Sequence, residues 1–207
     1  HTTIGQRYDS CLTGVHLKDL FSLKEQIYEK VKDIDGNVII KEYPTKSAST
    51  STIRAHLDKL KQQGVPIDMI IVDYGDLLKP VNAPRGNEKR HDLESIYEEL
   101  RAIAQVCECP VWTASQTNRS GLNAELITME AISESFNKCF VADFIFSLSR
   151  TITDKAKNRG KIFIAKNRNG RDGIPYTISM DTSNIKLRVI ESDLEDASQK
   201  PDAKKQK

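Results

Sequence analysis

Residues 69–72 are four consecutive apolar residues that run without interruption into an aspartate, Asp73. A strand-sized run without polar alternation is typical of a strand covered on both faces, as in the centre of a parallel sheet. An amphipathic helix is predicted over residues 92–106, and further strands over residues 110–115 and 141–149. Strands that alternate with helices in this way predict an α/β fold with a mostly parallel sheet.

Helices and strands are also predicted on both sides of this central region. The flanking helices are predicted over residues 4–31, with an interruption at Gly14, and over residues 53–63 and 129–137. The flanking strands are predicted over residues 38–40, 161–166, 176–180 and 186–190, with a basic turn at residues 155–160. The last three strands are expected to be antiparallel and to extend one edge of the sheet. We therefore expect a domain over residues 1–190 and a charged, disordered tail over residues 191–207.

The composition excludes several classes of protein. The 207 residues carry 31 basic and 29 acidic side chains, and this net charge of +2 excludes a uniformly basic binder but allows local basic patches. No run of 18 apolar residues occurs, so we expect no membrane span. The cysteines at positions 11, 107, 109 and 139 are too few for a disulfide scaffold and lack a second pair at metal-binding spacing. We expect reduced, mostly buried thiols in a cytoplasmic protein.

Polar side chains follow the predicted strands, where α/β sheets bind their ligands. Asp73 is placed as a Walker B aspartate would be, to hold the magnesium ion of a nucleoside triphosphate, with Asp76 as a lesser candidate. An aspartate in that position can also simply cap a turn. Gln116 follows the next strand and could contact a γ-phosphate, although polar residues commonly end a strand without binding anything.

Two cations, Lys166 and Arg168, lie two residues apart at the end of another predicted strand, and Gly170 follows for the turn. This spacing places both on one side, where the arginine fork and the lysine charge could reach one phosphate group. Residues 155–173 contain seven basic residues and one acid. The alternative is a solvated basic hairpin or a nonspecific nucleic-acid surface.

The order of these segments resembles the C-terminal motor domain of DnaB-type replicative helicases, of the phage type, over residues 4–190. The segments that carry the resemblance follow one another along the chain: I-V-D-Y at 71–74, L-R-A-I-A at 100–104, P-V at 110–111 with S-Q-T-N-R at 115–119, E-S at 134–135 before V-A-D at 141–143, and A-K-N-R-N-G at 165–170. The resemblance implies a RecA-like three-layer core whose mostly parallel sheet is extended by antiparallel C-terminal strands. It also implies ATP and Mg²⁺ as cofactors.

The phosphate-binding loop of this family, GxxxxGK[ST], does not occur in the 207 residues. The resemblance therefore implies that the chain is the C-terminal part of a RecA-like ATPase and lacks the N-terminal part with the Walker A loop. Without that loop the backbone cradle for the phosphates is missing. We expect the chain alone to be inactive as an ATPase.

The resemblance also implies roles for the strand-end residues. Asp73 is similar to the magnesium-binding Walker B residue, and Gln116 to the sensor that links the γ-phosphate to DNA. Lys166 and Arg168 are similar to the cations that enter the ATP site of a neighbouring subunit, with Arg168 as the arginine finger. A finger that acts in trans requires an assembly of copies, and the family implies a hexameric ring.

Two loops, at residues 78–91 and 118–137, lie where the family contacts single-stranded DNA. The residues expected to bind DNA are Lys79, Arg85, Lys89 and Arg90 in the first loop, and Arg119, Glu134 and Ser135 in the second. The leading hypothesis is a motor that translocates on single-stranded DNA and unwinds duplex DNA in a bacterial or phage-infected cell, with primase or a helicase loader as a further partner. The alternatives are a RecA- or RadA-like recombinase and a non-catalytic ring or loader component that binds nucleic acid.

Overall fold

The computed structural model describes residues 2–81, 89–118, 124–131 and 137–192, and at residues 2, 89–91, 191 and 192 only the backbone. The helices are α1 (Thr2–Thr13), α2 (Lys24–Val31), α3 (Thr50–Gln62), α4 (Lys89–Cys107), α5 (Asn137–Val141) and α6 (Ile152–Ala156). The strands are β1 (Ile70–Val72), β2 (Val111–Thr113), β3 (Phe144–Ser149), β4 (Arg159–Asn167), β5 (Ile174–Asp181) and β6 (Lys186–Ser192). No helix in these ranges is long and apolar enough to cross a membrane.

Strands β1 and β2 form a parallel pair that is connected through α4, with Ile70 opposite Val111 and Val72 opposite Thr113. One face of α4 packs on this pair and on α3, as the apolar spacing of the helix predicts. The buried residues of this core are Leu57, Ile70, Ile96, Leu100, Ile103 and Cys109. This β1–α4–β2 unit confirms the central strand–helix–strand pattern.

The remaining four strands form a separate antiparallel sheet in the order β3–β4–β5–β6. The prediction of a mostly parallel sheet is therefore wrong for the described residues, which contain one parallel and three antiparallel strand pairs. The short connection after β3 explains the difference for this strand. Residues 150–158 contain only α6 and a turn, and such a short link joins antiparallel neighbours, whereas parallel strands need a crossover of a dozen or more residues.

One face of the two sheets is open to solvent in the described part of the chain. Ile70 is 8% exposed, but its neighbour Ile71 is 62% exposed, so the expectation that this strand is covered on both faces is wrong here. On β2, Trp112 packs edge-on against Phe144 and Phe146 of β3, with ring centroids 6.1 and 6.0 Å away. These three aromatic side chains hold the parallel pair beside the antiparallel sheet.

Several predicted elements differ in detail. The strand predicted at residues 38–40 does not form, because this apolar triplet has no partner strand among the described residues and its first two side chains are exposed. The basic turn predicted at residues 155–160 begins inside α6. The helix predicted at residues 129–137 is a single 3₁₀ turn at Met129–Ala131 followed by α5, and residues 132–136 lie outside the described residues. The predicted tail beyond residue 192 also lies outside them.

The helix boundaries follow local sequence signals. Gly14, with a φ of +73°, ends α1 in a left-handed conformation that favours glycine. Ser49, within the run of hydroxyl residues that precedes α3, caps that helix by accepting a hydrogen bond from the backbone N–H of Thr52. These signals confirm the interruption at Gly14 and the predicted capped helix.

Candidate functional site

The turn after β1 is tied to β2 by one hydroxyl group. The Oγ1 of Thr113 donates to the carbonyl of Val72 at 2.9 Å and accepts from the N–H of Gly75 at 2.8 Å. A Cβ atom at position 75 would stand 3.3 Å from this hydroxyl and from the Tyr97 ring, so glycine suits the close approach. The turn therefore has a fixed path that carries Asp73 past the end of β1.

Asp73 and Gln116 lie at neighbouring strand ends. The side chain of Asp73 is exposed, and within the described residues nothing donates a hydrogen bond to it. The peptide bond between Asp73 and Tyr74 is cis. Gln116 donates its side-chain amide to the hydroxyl of Tyr74 at 2.8 Å. The structure thus brings Gln116 to the residue that follows Asp73, as the parallel pair of strands requires.

Asp76 is engaged by three side chains, of which only Ser115 belongs to one of the family segments, S-Q-T-N-R at 115–119. Lys138 of α5 lies 3.1 and 3.2 Å from its two oxygens, Tyr97 donates at 2.8 Å and Ser115 at 3.1 Å. The Lys138 side chain is 3% exposed and lies 5.5 Å from the centre of the Tyr97 ring. Burial, with the Asp76 charge second, raises the pKa of Tyr97 well above its usual range. Asp76 is therefore a structural anion, and Asp73 is the carboxylate open to a ligand.

Lys166 and Arg168 meet at the C-terminal end of α5. The ammonium of Lys166 donates to the carbonyls of Cys139 and Phe140 at 2.8 and 3.2 Å, and burial, followed by the charge of Arg168, lowers its pKa. Arg168 pairs with Asp143 at 2.6 Å. The structure thus confirms that the two cations share one side of the strand end.

The candidate residues form two groups. Asp73 and Gln116 lie at the ends of β1 and β2, while Lys166 and Arg168 lie at the end of β4. Nothing in the sequence indicates that the two groups are connected, but helix α5 contacts the elements that carry both. Its Lys138 pairs with Asp76 in the turn that follows Asp73, and its last carbonyls accept hydrogen bonds from Lys166. No contact among the described residues joins either cation directly to Asp73 or Gln116.

Comparison with known proteins identifies the chain. The family of DnaB-like helicase C-terminal domains matches residues 7–184. The chain belongs to this family. The resemblance predicted from the order of the motifs is therefore confirmed.

The relatives of this DnaB-like chain include two curated helicases. It is 34% identical over 163 residues to the DnaB-like replicative helicase of bacteriophage T4, an alignment that covers 76% of the chain and 34% of the relative. It is 33% identical over 135 residues to the replicative DNA helicase DnaB of Geobacillus stearothermophilus, covering 62% of the chain and 29% of the relative. The chain therefore spans about a third of the length of the curated relatives that it matches.

Solved structures show the same fold. One structure, described as an ATPase domain, superposes with a TM-score of 0.72 at 18% identity, over 89% of this chain and 69% of that one. A DnaB-like replicative helicase, described with its interactions with primase, gives the same TM-score at 17% identity, over 90% of this chain and 48% of that one. This DnaB-like chain thus has an α/β fold that resembles the ATPase domains of helicases.

Most of the predicted DNA-binding residues of this DnaB-like domain lie outside the described part of the chain. Arg85, Arg119, Glu134 and Ser135 fall outside the described residues, and at Lys89 and Arg90 only the backbone, at the start of α4, is described. Lys79 is exposed, and its N–H donates to the carbonyl of Ala48 at 2.8 Å, which fixes the start of the first loop.

Among the described residues at these strand ends, Asp73 is the carboxylate that is open to a ligand. The described residues contain no group of three or more His, Cys, Asp or Glu side chains that could hold a metal ion. Mg²⁺ is usually held by one or two carboxylates together with waters and substrate phosphates, and an exposed Asp73 fits that mode. The described cysteines are all free, with Cys109 and Cys139 buried and Cys11 exposed.

Proposed function

We propose that this chain is the C-terminal portion of the motor of an ATP-dependent replicative DNA helicase, which translocates on single-stranded DNA and unwinds duplex DNA. The observation that carries the proposal is the division of the candidate phosphate-binding side chains into two groups in a chain of the DnaB-like family. One group, Asp73 and Gln116, is suited to a nucleotide held by the same subunit. The other, Lys166 and Arg168, is suited to a nucleotide held by a neighbour.

Asp73 is the residue proposed to hold Mg²⁺, which would neutralise charge on the ATP phosphates. Its carboxylate is exposed at the end of a parallel strand, where α/β sheets bind ligands. Gln116 is the proposed sensor of the γ-phosphate. Its amide touches Tyr74, next to Asp73, and it precedes the second predicted DNA-binding loop by two residues. A change at the phosphate could therefore reach that loop along a short stretch of chain.

Lys166 and Arg168 are proposed to act on the ATP of an adjacent copy, with Arg168 as the arginine finger. Both face the end of α5, and no described contact joins them to Asp73 or Gln116. Cations that do not reach the nucleotide of their own subunit require a second copy to be useful. We therefore propose a homo-oligomeric ring, of six copies as in the family, built on a three-layer RecA-like core.

Single-stranded DNA is the proposed substrate track, contacted by Lys79 and by the predicted cations Arg85, Lys89, Arg90 and Arg119, with Glu134 and Ser135 in the second loop. Each contact between one of these cations and a DNA phosphate adds to the salt dependence of DNA binding. Primase or a helicase loader is a further proposed partner, in the cytoplasm of a bacterial or phage-infected cell. Both curated relatives are named replicative helicases, which favours this function over a recombinase or a non-catalytic ring component.

A chimera tests the proposal. Residues 7–184 replace the matching segment of the bacteriophage T4 relative, and DNA-stimulated ATP turnover and strand separation are measured. In this background Arg168→Ala is expected to lower turnover by a factor of about 10³ or more, the range for arginine fingers. Asp73→Asn is expected to abolish Mg²⁺-dependent turnover. The 207-residue chain alone is expected to give no turnover, because it contains no GK[ST] sequence.

Arg171→Ala is the matched control, because Arg171 is an exposed arginine in the same turn and the described contact at this residue uses its backbone carbonyl. It is expected to retain turnover close to that of the parent chimera. Full turnover in the Arg168→Ala chimera would refute the role of Arg168. Turnover by the isolated chain that is lost in Asp73→Ala would show that the chain itself holds a complete site.

A further inference from the structure

The carboxylate of Asp143 is shared by two arginines. Its Oδ1 lies 2.6 Å from the guanidinium of Arg168 and 3.1 Å from that of Arg101, and its backbone carbonyl accepts the N–H of Arg168 at 2.9 Å. Asp143 stands one residue before β3, so it joins the end of α5 to the antiparallel sheet. The predicted finger residue is therefore held to Asp143 by both its side chain and its backbone.

Three cations meet around this carboxylate. Lys166 donates to carbonyls in the last turn of α5, Arg101 donates to the carbonyl of Val141, and Arg168 lies 3.5 Å from the carbonyl of Phe140. The carbonyls at a helix C-terminus carry partial negative charge and attract cations. Asp143 is the one carboxylate that pairs with Arg101 and Arg168 among the described residues.

We propose that Asp143 is a positioning residue that holds Arg168 in a resting position, which Arg168 leaves when it binds the phosphates of a neighbouring subunit's nucleotide. This inference rests on the role proposed above for Arg168. Its side-chain pair with Asp143 is weak enough to be exchanged, because the two side chains are 47% and 56% exposed and such pairs contribute little. A phosphate group carries more negative charge than the carboxylate and accepts the same forked hydrogen bonds.

The surrounding contacts lower the free-energy cost of moving the Arg168 side chain from Asp143 to a phosphate. When the Arg168 side chain leaves, Arg101 stays on the same oxygen of Asp143, so the carboxylate keeps a cationic partner. The backbone bond from the N–H of Arg168 to the carbonyl of Asp143 also remains, which keeps the origin of the side chain in place. The Arg168 side chain alone has to move, and it also gives up its 3.5 Å contact with the carbonyl of Phe140. Asp143 therefore competes with phosphate for Arg168 and sets how readily the cation is released.

The competition is tested on the full chain with inorganic tripolyphosphate as the probe, by NMR titration of the backbone amides near β4. Asp143→Asn is expected to tighten tripolyphosphate binding by about two- to fivefold, the equilibrium effect of losing one exposed ion pair. Asp172→Asn is the matched control, since it removes the same charge from the neighbouring exposed turn without breaking an ion pair among the described residues. In the Arg168→Ala background, Asp143→Asn is expected to give no gain beyond that of the control.

Equal effects of Asp143→Asn and Asp172→Asn would overturn the proposal, because general charge removal would then explain both. A gain that persists in the Arg168→Ala background, or no measurable tripolyphosphate binding by the parent chain and Asp143→Asn, would overturn it as well. Asp143→Ser replaces Asp143→Asn if circular dichroism shows that the latter is unfolded. The ATP turnover of the Arg168→Ala chimera does not involve Asp143, so a failure of this inference is distinguishable from a failure of the proposed function.

Discussion

Replacing Lys138 by methionine is expected to destabilise the chain, although Lys138 was selected by no feature of the sequence. Its side chain is 3% exposed and its ammonium bridges both oxygens of Asp76, which is itself only 16% exposed. Methionine keeps the length and the apolar stem of lysine and removes the charge. The substitution therefore tests the ion pair with little change in packing volume.

The expected loss of folding stability depends on which partners the remaining charged group keeps after the substitution. Removing one member of a buried ion pair costs about 3–5 kcal/mol, because the other charge is left buried without compensation. In Lys138→Met the carboxylate of Asp76 keeps the hydroxyls of Tyr97 and Ser115, so we expect the lower end, about 3 kcal/mol. In Asp76→Asn the more deeply buried ammonium loses its counterion, so we expect about 4–5 kcal/mol.

The assay is urea unfolding of the full chain, followed by far-UV circular dichroism. The double variant Lys138→Met with Asp76→Asn is expected to cost about 2–3 kcal/mol less than the sum of the single variants, since the pair is coupled. Lys155→Met, at an exposed lysine of α6, is the matched control and should change stability by less than about 0.5 kcal/mol. A cost below about 1 kcal/mol for Lys138→Met, or additive single effects, would refute the reasoning.

Two further changes test the fold. Gly160→Ala is expected to cost about 1–3 kcal/mol in urea unfolding, because a Cβ there would stand 3.0 Å from the Ser149 carbonyl. Gly5→Ala, in α1 with nothing within 4 Å, should instead be neutral or stabilising by up to about 1 kcal/mol, and equal costs would contradict this packing argument. Thr151→Val removes the cap of α6, which should cost about 0.5–2 kcal/mol and return the pKa of Asp154 towards its ordinary value, since hydrogen bonds from Thr151 lower it. Because the pKa of Asp154 is lowered in the folded chain, its contribution to folding stability is present above its unfolded-state pKa and is lost as pH falls through the folded-state pKa. An unchanged titration of the Asp154 carboxyl by NMR in Thr151→Val would contradict the role given to the Thr151 hydrogen bonds.

Local patterns predicted α3, α4 and the shared side of Lys166 and Arg168, because the signals for each lie close together in sequence. The apolar spacing of α4 places Ile96, Leu100 and Ile103 in the core, where they are at most 3% exposed. The spacing of Lys166 and Arg168 placed both on one side of a strand end, and both contact α5 or the residue two positions after it. In each case the geometry is set within a few residues.

Long-range pairing could not be predicted in the same way. The short link of residues 150–158 favours antiparallel pairing of β3 with β4, but the apolar composition of β3 suits β2 as a neighbour equally well, so composition alone did not separate the two. The pair between Lys138 and Asp76 joins residues 62 positions apart, so a lysine next to apolar residues gave no sign of its buried partner. Asp143 and Arg101 were noticed only as parts of the family motifs, because their link to Arg168 exists only in the folded chain.

The claim that Arg168 acts across a subunit boundary is tested most directly by mixing two inactive chimeras. One carries Arg168→Ala, and the other has its phosphate-loop lysine, supplied by the T4 segment, replaced by alanine. In random mixed rings about a quarter of the interfaces at a 1:1 ratio pair an intact phosphate loop with an intact Arg168, so ATP turnover should recover to about that fraction of the parent value. No recovery at any ratio, with mixed rings demonstrated by crosslinking, would contradict action of Arg168 in trans.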